Sequence, residues 1–294
     1  MANLKAIRIR IASVKSTRQI TSAMKMVSAA KLRRAQDRIV RLRPYASKLH
    51  EILVWLSQSL ADSEIENIYA HVSPPEKILL VIVTSNRGLC GAFNSTVIRE
   101  TRRIVSEKYT EQFNKGNVTF LTIGKHGFDF LKKLKVKMLP EQNNLYNELT
   151  FENVSMVAEN IMADFVSGHY DRVEIIYNQF KNAAIQKLTV EQFLPVETIN
   201  PKSPASPPAD YIYEPSREEI IRELIPRSLK IQFYKAILDS FVAEHGARMT
   251  AMHKATDNAT SMIKDLTLQY NKARQAAITN QILEVVNGSE AQKG

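Results

Sequence analysis

The sequence predicts a mixed α/β chain. Its long N- and C-terminal helices should pair as an antiparallel coiled coil, with a central α/β domain built on a mainly parallel sheet. Three observations predict this. Apolar residues recur every three or four positions over long, glycine-poor stretches at both ends of the 294 residues, which is the pattern of a helical seam. Between those ends, β-branched apolar runs alternate with helical stretches, as in strands joined by crossover helices. The chain is also long and apolar enough, with 44% hydrophobic residues, to bury a substantial core.

The first element spans Leu4 to Leu56, with no Gly and with Pro44 as its only Pro. Its seam reads Leu4, Ile7, Ile11 and Val14, then Leu32, Ala35, Ile39, Leu42, Ala46, Leu49, Leu53 and Leu56. Continued through residues 15–31, the same phase falls on Arg18, Thr21, Lys25 and Ser28, while Ile20, Met24 and Val27 lie one position round the helix. A purely structural coiled coil has little reason to lose its apolar seam there, so a second surface competes for the apolar face. Pro44 is a place for a kink.

Residues 58–76 are polar and close on Ser73-Pro74-Pro75, a linker. Lys77–Thr84 (KILLVIVT) is a continuous apolar run, the mark of a strand covered on both faces. Ser85–Asn94 is a glycine-containing turn, and Thr96–Phe113 reads as one helix. Asn117–Ile123 is a second strand, followed by a helix over 125–134, a helix over Phe151–Ser167 and a third strand at Arg172–Phe180. A hairpin through Asn182 leads to a fourth strand at Ala184–Phe193. The four prolines of Asn200–Ala209 demand an extended loop. Asp210–Pro215 (DYIYEP) follows, and then Ser216 with Glu219 forms a capping box.

From Arg227 to Val286 there is no Pro and one Gly. This last helix carries a seam at Phe241, Met252, Ala255, Ala259, Met262, Leu266, Ala273, Ala276 and Leu283, rich in Ala and Met so that a partner can approach closely.

The formal net charge of +10 is local. Residues 1–57 hold 13 basic and two acidic side chains, and the remaining 237 residues hold 27 and 28. Such a segment reads as a targeting peptide, a nucleic-acid arm or a helix docked on an acidic partner. A targeting peptide has no need of heptads carried on for so many turns. A nucleic-acid arm would interleave aromatics for stacking, and this one has only Tyr45 and Trp55.

Catalytic patterns are weak. Gly88-Leu89-Cys90-Gly91 lies after a strand, but lacks Walker spacing and the three-glycine dinucleotide fingerprint. Cys90, the one cysteine, excludes an intramolecular disulfide or a regulatory dithiol and has no histidine in sequence relation to it. The six histidines form no metal motif. Glu218 and Glu219 suit a helix start.

Three blocks are similar to the gamma subunits of F-type ATP synthases: Ile20–Gln36 (ITSAMKMVSAAKLRRAQ), Arg87–Asn94 (RGLCGAFN) and the thirty-one residues of Ala247–Ala277. Asp210–Pro215 also resembles that family's foot segment. Gln281 replaces a usual Glu, Ser289 follows Gly288 where the family has Ala, and Asn86 stands for a usual Asp.

The resemblance implies a rotor shaft of three parts: a coiled-coil helix over 1–58, a Rossmann-like α/β domain over 76–215 and a second coiled-coil helix over 216–294. It implies no catalytic residue, cofactor or metal and no nucleic-acid partner. Its partners would be alpha and beta subunits in a ring, an epsilon subunit and a membrane c-ring, with one copy per complex. Met24, Lys25, Arg274 and Gln275 would meet the beta subunits. Asp210, Tyr211, Tyr213 and Glu214 would meet the c-ring and epsilon. Such a protein would be peripheral, on the cytoplasmic face of the bacterial inner membrane.

Overall fold

The computed structural model describes residues 4–59, 68–69, 73–196 and 217–291. The proline-rich loop, the Asp210–Pro215 segment and the Ser216 cap lie outside them. The described chain is a mixed α/β protein with long terminal helices, α1 (Leu4–Ser59) and α6 (Arg217–Ala291), around a mainly parallel sheet. It divides into two compact units, one of residues 30–247 and the other of residues up to Ala29 with those from Arg248 onward.

In the larger unit, strands β1 (Ile78–Val83), β2 (Val118–Ile123), β3 (Arg172–Phe180) and β4 (Gln186–Leu194) form one sheet in the order β2-β1-β3-β4. β1 pairs in parallel with β2 and β3, and β4 closes the sheet antiparallel to β3. The hairpin turns at Asn182, whose side-chain oxygen accepts from the Ala184 and Ile185 amides at 2.9 and 2.7 Å. Every residue of β1 is buried, as the unbroken ILLVIV run requires of a strand covered on both faces. On one face Leu80 and Ile82 pack with Val97 and Ile104 of α2 (Phe93–Glu107), Phe120 of β2 and Leu131 of α4 (Lys125–Leu134).

Elsewhere in this unit α6 packs Phe233 against Phe193 of β4, with ring centroids 5.3 Å apart. Its Tyr234 meets Phe151 of α5 (Phe151–Val166) edge-on at 5.7 Å. Along α1, Leu32, Ala35, Ile39 and Leu49 are buried, the heptad positions read from the sequence. α1 runs on through the exposed Pro44 and α6 through Pro226.

The helix expected over Thr96–Phe113 is two helices, α2 and the short α3 (Thr110–Asn114). It breaks at Tyr109, whose backbone is non-helical (φ −124°, ψ 30°). Tyr109 is 1% exposed and its hydroxyl donates to Glu174 Oε1 at 2.7 Å, with the Lys108 ammonium on the same oxygen. Glu174 is the third residue of β3 and is buried, and a buried carboxylate must be paired. The chain bends there to deliver both partners, and burial with the Glu174 bond pushes the Tyr109 phenol up so that it stays a donor.

Asp239 on α6 is buried more completely still. One carboxylate oxygen accepts from Arg43 at 3.4 Å, and the other has no hydrogen bond among the described residues. Burial raises its pKa above 3.8 despite the opposing pull of Arg43 and Lys235. The folded form therefore holds this proton more tightly than the unfolded chain. Stability contributed by the group falls as pH rises from about 3.8 through the raised value. Asp239→Asn should melt higher than the parent at about pH 8, with the two curves converging toward about pH 4; thermal melts across that range test it.

Candidate functional site

In the larger unit the place to look is the crevice beyond the carboxyl ends of β1 and β3. The chain leaves β1 for β2 on one side and reaches β3 on the other, and open parallel sheets bind ligands at such a switch point. Here the crevice is filled. Tyr146 donates its hydroxyl to the Thr84 carbonyl at 2.8 Å and stacks on Phe241 of α6 at 5.8 Å. Burial and the nearby Glu244 carboxylate push its phenol well above the usual range, so it holds its proton and serves as a donor.

The turn after β1 is tied off in the same way. The Ser85 amide donates to Asn94 Oδ1 at 2.9 Å, and Asn94 Nδ2 donates to Ser85 Oγ at 2.8 Å and to Cys90 Sγ at 3.4 Å. Leu89 and Gly91 both take φ of 61° to close the loop. Cys90 is 2% exposed, a small packed side chain offering no approach to a substrate. Asn86 explains itself here: its oxygen accepts from the Lys125 amide at 3.0 Å, while its nitrogen donates to the Asn143 carbonyl at 2.9 Å. A carboxylate would supply only the first bond. Among the described residues, no group of three or more His, Cys, Asp or Glu side chains is placed to hold a metal ion.

The second surface belongs to the smaller unit, where residues 4–29 of α1 pair with α6 from Arg248 onward. Arg8 donates to the Tyr270 hydroxyl at 2.9 Å, and the Thr21 and Thr256 hydroxyls bond at 2.9 Å. Thirteen residues forward on α1 correspond to fourteen back on α6, so the helices run antiparallel. Thr21 and Ser28 are buried on the predicted phase, and Arg18 and Lys25 are half-buried on it. The seam thus stays in place and turns polar, while Ile20, Met26 and Val27 face outward, each more than half exposed.

On α6, Met252, Ala259 and Leu266 are buried as expected. The alternate positions are corrected in part: Ala255 and Ala273 are half-buried as expected, but so are Thr256, Ile263, Tyr270 and Ala277, whereas Met262, Ala276 and Leu283 are exposed. The threonine pair and the Arg8–Tyr270 bond turn the helix that way, and a count of apolar residues cannot register them. From Ile278 to Ala291 every residue is exposed, including Ile278, Ile282 and Val285, the last at 72%. Sequence reading missed this tip as a surface. Its signal was present in Ile278, Ile282, Leu283, Val285 and Val286, five large apolar residues within nine positions.

The expected contact residues fall at two places. Met24 and Lys25 are half-buried, opposite the α6 residues near Met252, and Arg274 and Gln275 are exposed opposite the start of α1. About twenty residues separate them along the pair, roughly 30 Å at the helical rise. They lie at two separate places on the pair rather than at one. Asp210, Tyr211, Tyr213 and Glu214 lie outside the described residues. From Leu4 to Ala29 there are six basic side chains and no acid, so the outward face is apolar and cationic together. No helix among the described residues is long and apolar enough to cross a membrane.

A filled crevice and an exposed antiparallel helix pair are the features of a stalk-type protein. Residues 3–292 match the family model described as ATP synthase. The ATP synthase gamma chain of Flavobacterium johnsoniae is 56% identical over 294 residues, covering all of both chains. That of Cytophaga hutchinsonii is 50% identical over 99% of each. Among solved structures, the central stalk and c-ring of the Tetrahymena thermophila mitochondrial ATP synthase aligns with a TM-score of 0.55 at 26% identity, over 80% of this chain and 99% of that one. The rotor of the Euglena gracilis enzyme shares the fold, with a TM-score of 0.64 at 21% identity over 94% and 98%. The chain belongs to the ATP synthase gamma chain family, the central stalk of the complex.

Proposed function

We propose that this chain is a non-catalytic rotor shaft. It couples ion flow through a membrane c-ring to ATP synthesis and hydrolysis on beta subunits, on the cytoplasmic face of a bacterial inner membrane. One copy would stand within a ring of alpha and beta subunits, with an epsilon subunit at the foot. Residues 1–58 and 216–294 would form the shaft and 76–215 the foot domain. Met24, Lys25, Arg274 and Gln275 would meet the beta subunits; Asp210, Tyr211, Tyr213 and Glu214 would meet epsilon and the c-ring.

The observation that carries this reading is the helix pair whose seam turns polar while its apolar side chains face outward. Water is a poor partner for Ile20, Val27, Ile282 and Val285, so a surrounding surface is the natural one. The shaft's faces differ, with hydroxyls in the seam, cations along α1 and an apolar tip on α6. Turning it offers each surrounding subunit a different contact in sequence. A ligand equilibrium responds only to such differences, about 1.4 kcal/mol for each tenfold in affinity.

Assembly supplies the test. Mixed with the matching alpha and beta subunits, the chain should form a complex that hydrolyses ATP, which the isolated chain does not. Failure to assemble contradicts the proposal. Cys90→Ser should leave that complex fully active, whereas loss of activity in a folded variant would favour an enzyme acting through Cys90.

A further inference from the structure

Away from the crevice and the helix pair, the larger unit has a cavity of about 380 Å³, where α2, α3 and α4 meet β2. Val105, Phe113, Phe120, Phe130, Leu134 and Val136 line it, and one charged side chain joins them, Arg102. Its volume is that of a small-ligand pocket, whose usual make-up is an apolar wall with few polar groups. Val136 is brought to the wall by the segment following α4, which runs beside β2: the Phe120 amide donates to the Lys137 carbonyl at 3.0 Å and the Leu139 amide to the Phe120 carbonyl at 2.8 Å. Leu134 remains 52% and Phe113 39% exposed, so the wall extends out to solvent.

The charge at this cavity is one-sided. Arg103 is held between Glu100 and Glu107, each with a 2.9 Å bond. Arg102 beside it is exposed and has no carboxylate among the described residues. No acid lines the cavity. Residues 132–137 (KKLKVK) add four lysines and no acid to the adjoining chain. A guanidinium fork matches a planar carboxylate through two parallel hydrogen bonds.

We propose that this cavity binds a free aliphatic carboxylate of medium chain length, with the tail among Val105, Phe120, Phe130 and Val136 and the head on Arg102. The size of the cavity favours a small molecule over a folded partner, and the unpaired cation selects the sign of its charge.

Titration of the full-length chain with decanoate, followed calorimetrically, tests the assignment. Decanoate should bind saturably at one site, and decyltrimethylammonium, with the same tail and the opposite charge, should not. Arg102→Gln, on an exposed side chain, should weaken decanoate about tenfold with an unchanged melting temperature. Leu134→Trp, narrowing the mouth, should weaken it as well. Absence of saturable binding, equal binding by Arg102→Gln, or equal binding of the ammonium analogue would overturn the proposal. So would an acidic, aromatic peptide that occupies the cavity while decanoate does not.

Discussion

Gly124→Ala should abolish folding of the larger unit or lower its melting temperature by about 10 °C or more. Gly124 ends β2 and opens α4 with φ of 108°, a conformation L-residues rarely adopt. A Cβ there would stand 2.1 Å from the Thr84 carbonyl oxygen and 2.5 Å from its carbon. Both atoms are backbone, fixed by parallel pairing: the Thr84 amide donates to Ile123 at 2.8 Å, and Thr84 Oγ1 accepts from the Gly127 amide at 2.9 Å. Neither side can yield without opening the β1–β2 ladder. Strain and displacement together exceed about 4 kcal/mol, a large part of a typical domain's stability. Gly91→Ala is the matched control, since φ there is also positive at 61° but nothing lies within 4 Å of the added carbon. It should cost only about 1 kcal/mol. Equal melting temperatures for the two variants would show that the Thr84 contact does not constrain Gly124.

Reversing charge at both proposed contacts should separate coupling from folding. In the assembled complex, Lys25→Glu with Arg274→Glu is expected to reduce gradient-driven ATP synthesis about tenfold or more, because like-charge juxtaposition at an interface costs several kcal/mol. Arg274 is exposed and Lys25 half-buried at the seam, so the isolated chain should lose no more than about 1 kcal/mol and melt within about 4 °C of the parent. The residues are far enough apart that their effects should add. Lys25→Gln with Arg274→Gln should fall between parent and reversal. Undiminished synthesis and ion pumping in the reversed variant would remove these two side chains from the coupling path.

Strands proved the most legible elements. β1, β2 and β3 fall within a residue of the predicted spans, because β-branched and aromatic residues dominate each run. β4 begins two residues later than its run, where Asn182 holds the hairpin. The Tyr109 break was not legible, since its cause is Glu174, 65 residues away on another strand. The helix seams were legible in phase but not in side: hydroxyls at Thr21 and Thr256 and the Arg8–Tyr270 bond decide which flank of Met252 and Leu266 turns inward. The filled crevice was invisible, because nothing local to Tyr146 announces that it reaches the Thr84 carbonyl and meets Phe241. The proposed contact residues came from resemblance, while exposure of apolar side chains at Ile20 and Val27 was foreshadowed by their shift off the heptad phase.

As a rotor shaft, this chain should turn inside its complex. Cys90 is buried, so a thiol introduced at the exposed Asp129 (Asp129→Cys) gives a unique attachment point for an optical reporter. In a complex with alpha and beta subunits fixed to a surface, ATP should drive sustained rotation of that reporter in one sense, ceasing when ATP is exhausted. A complex that hydrolyses ATP at full rate while the reporter stays still would contradict the account.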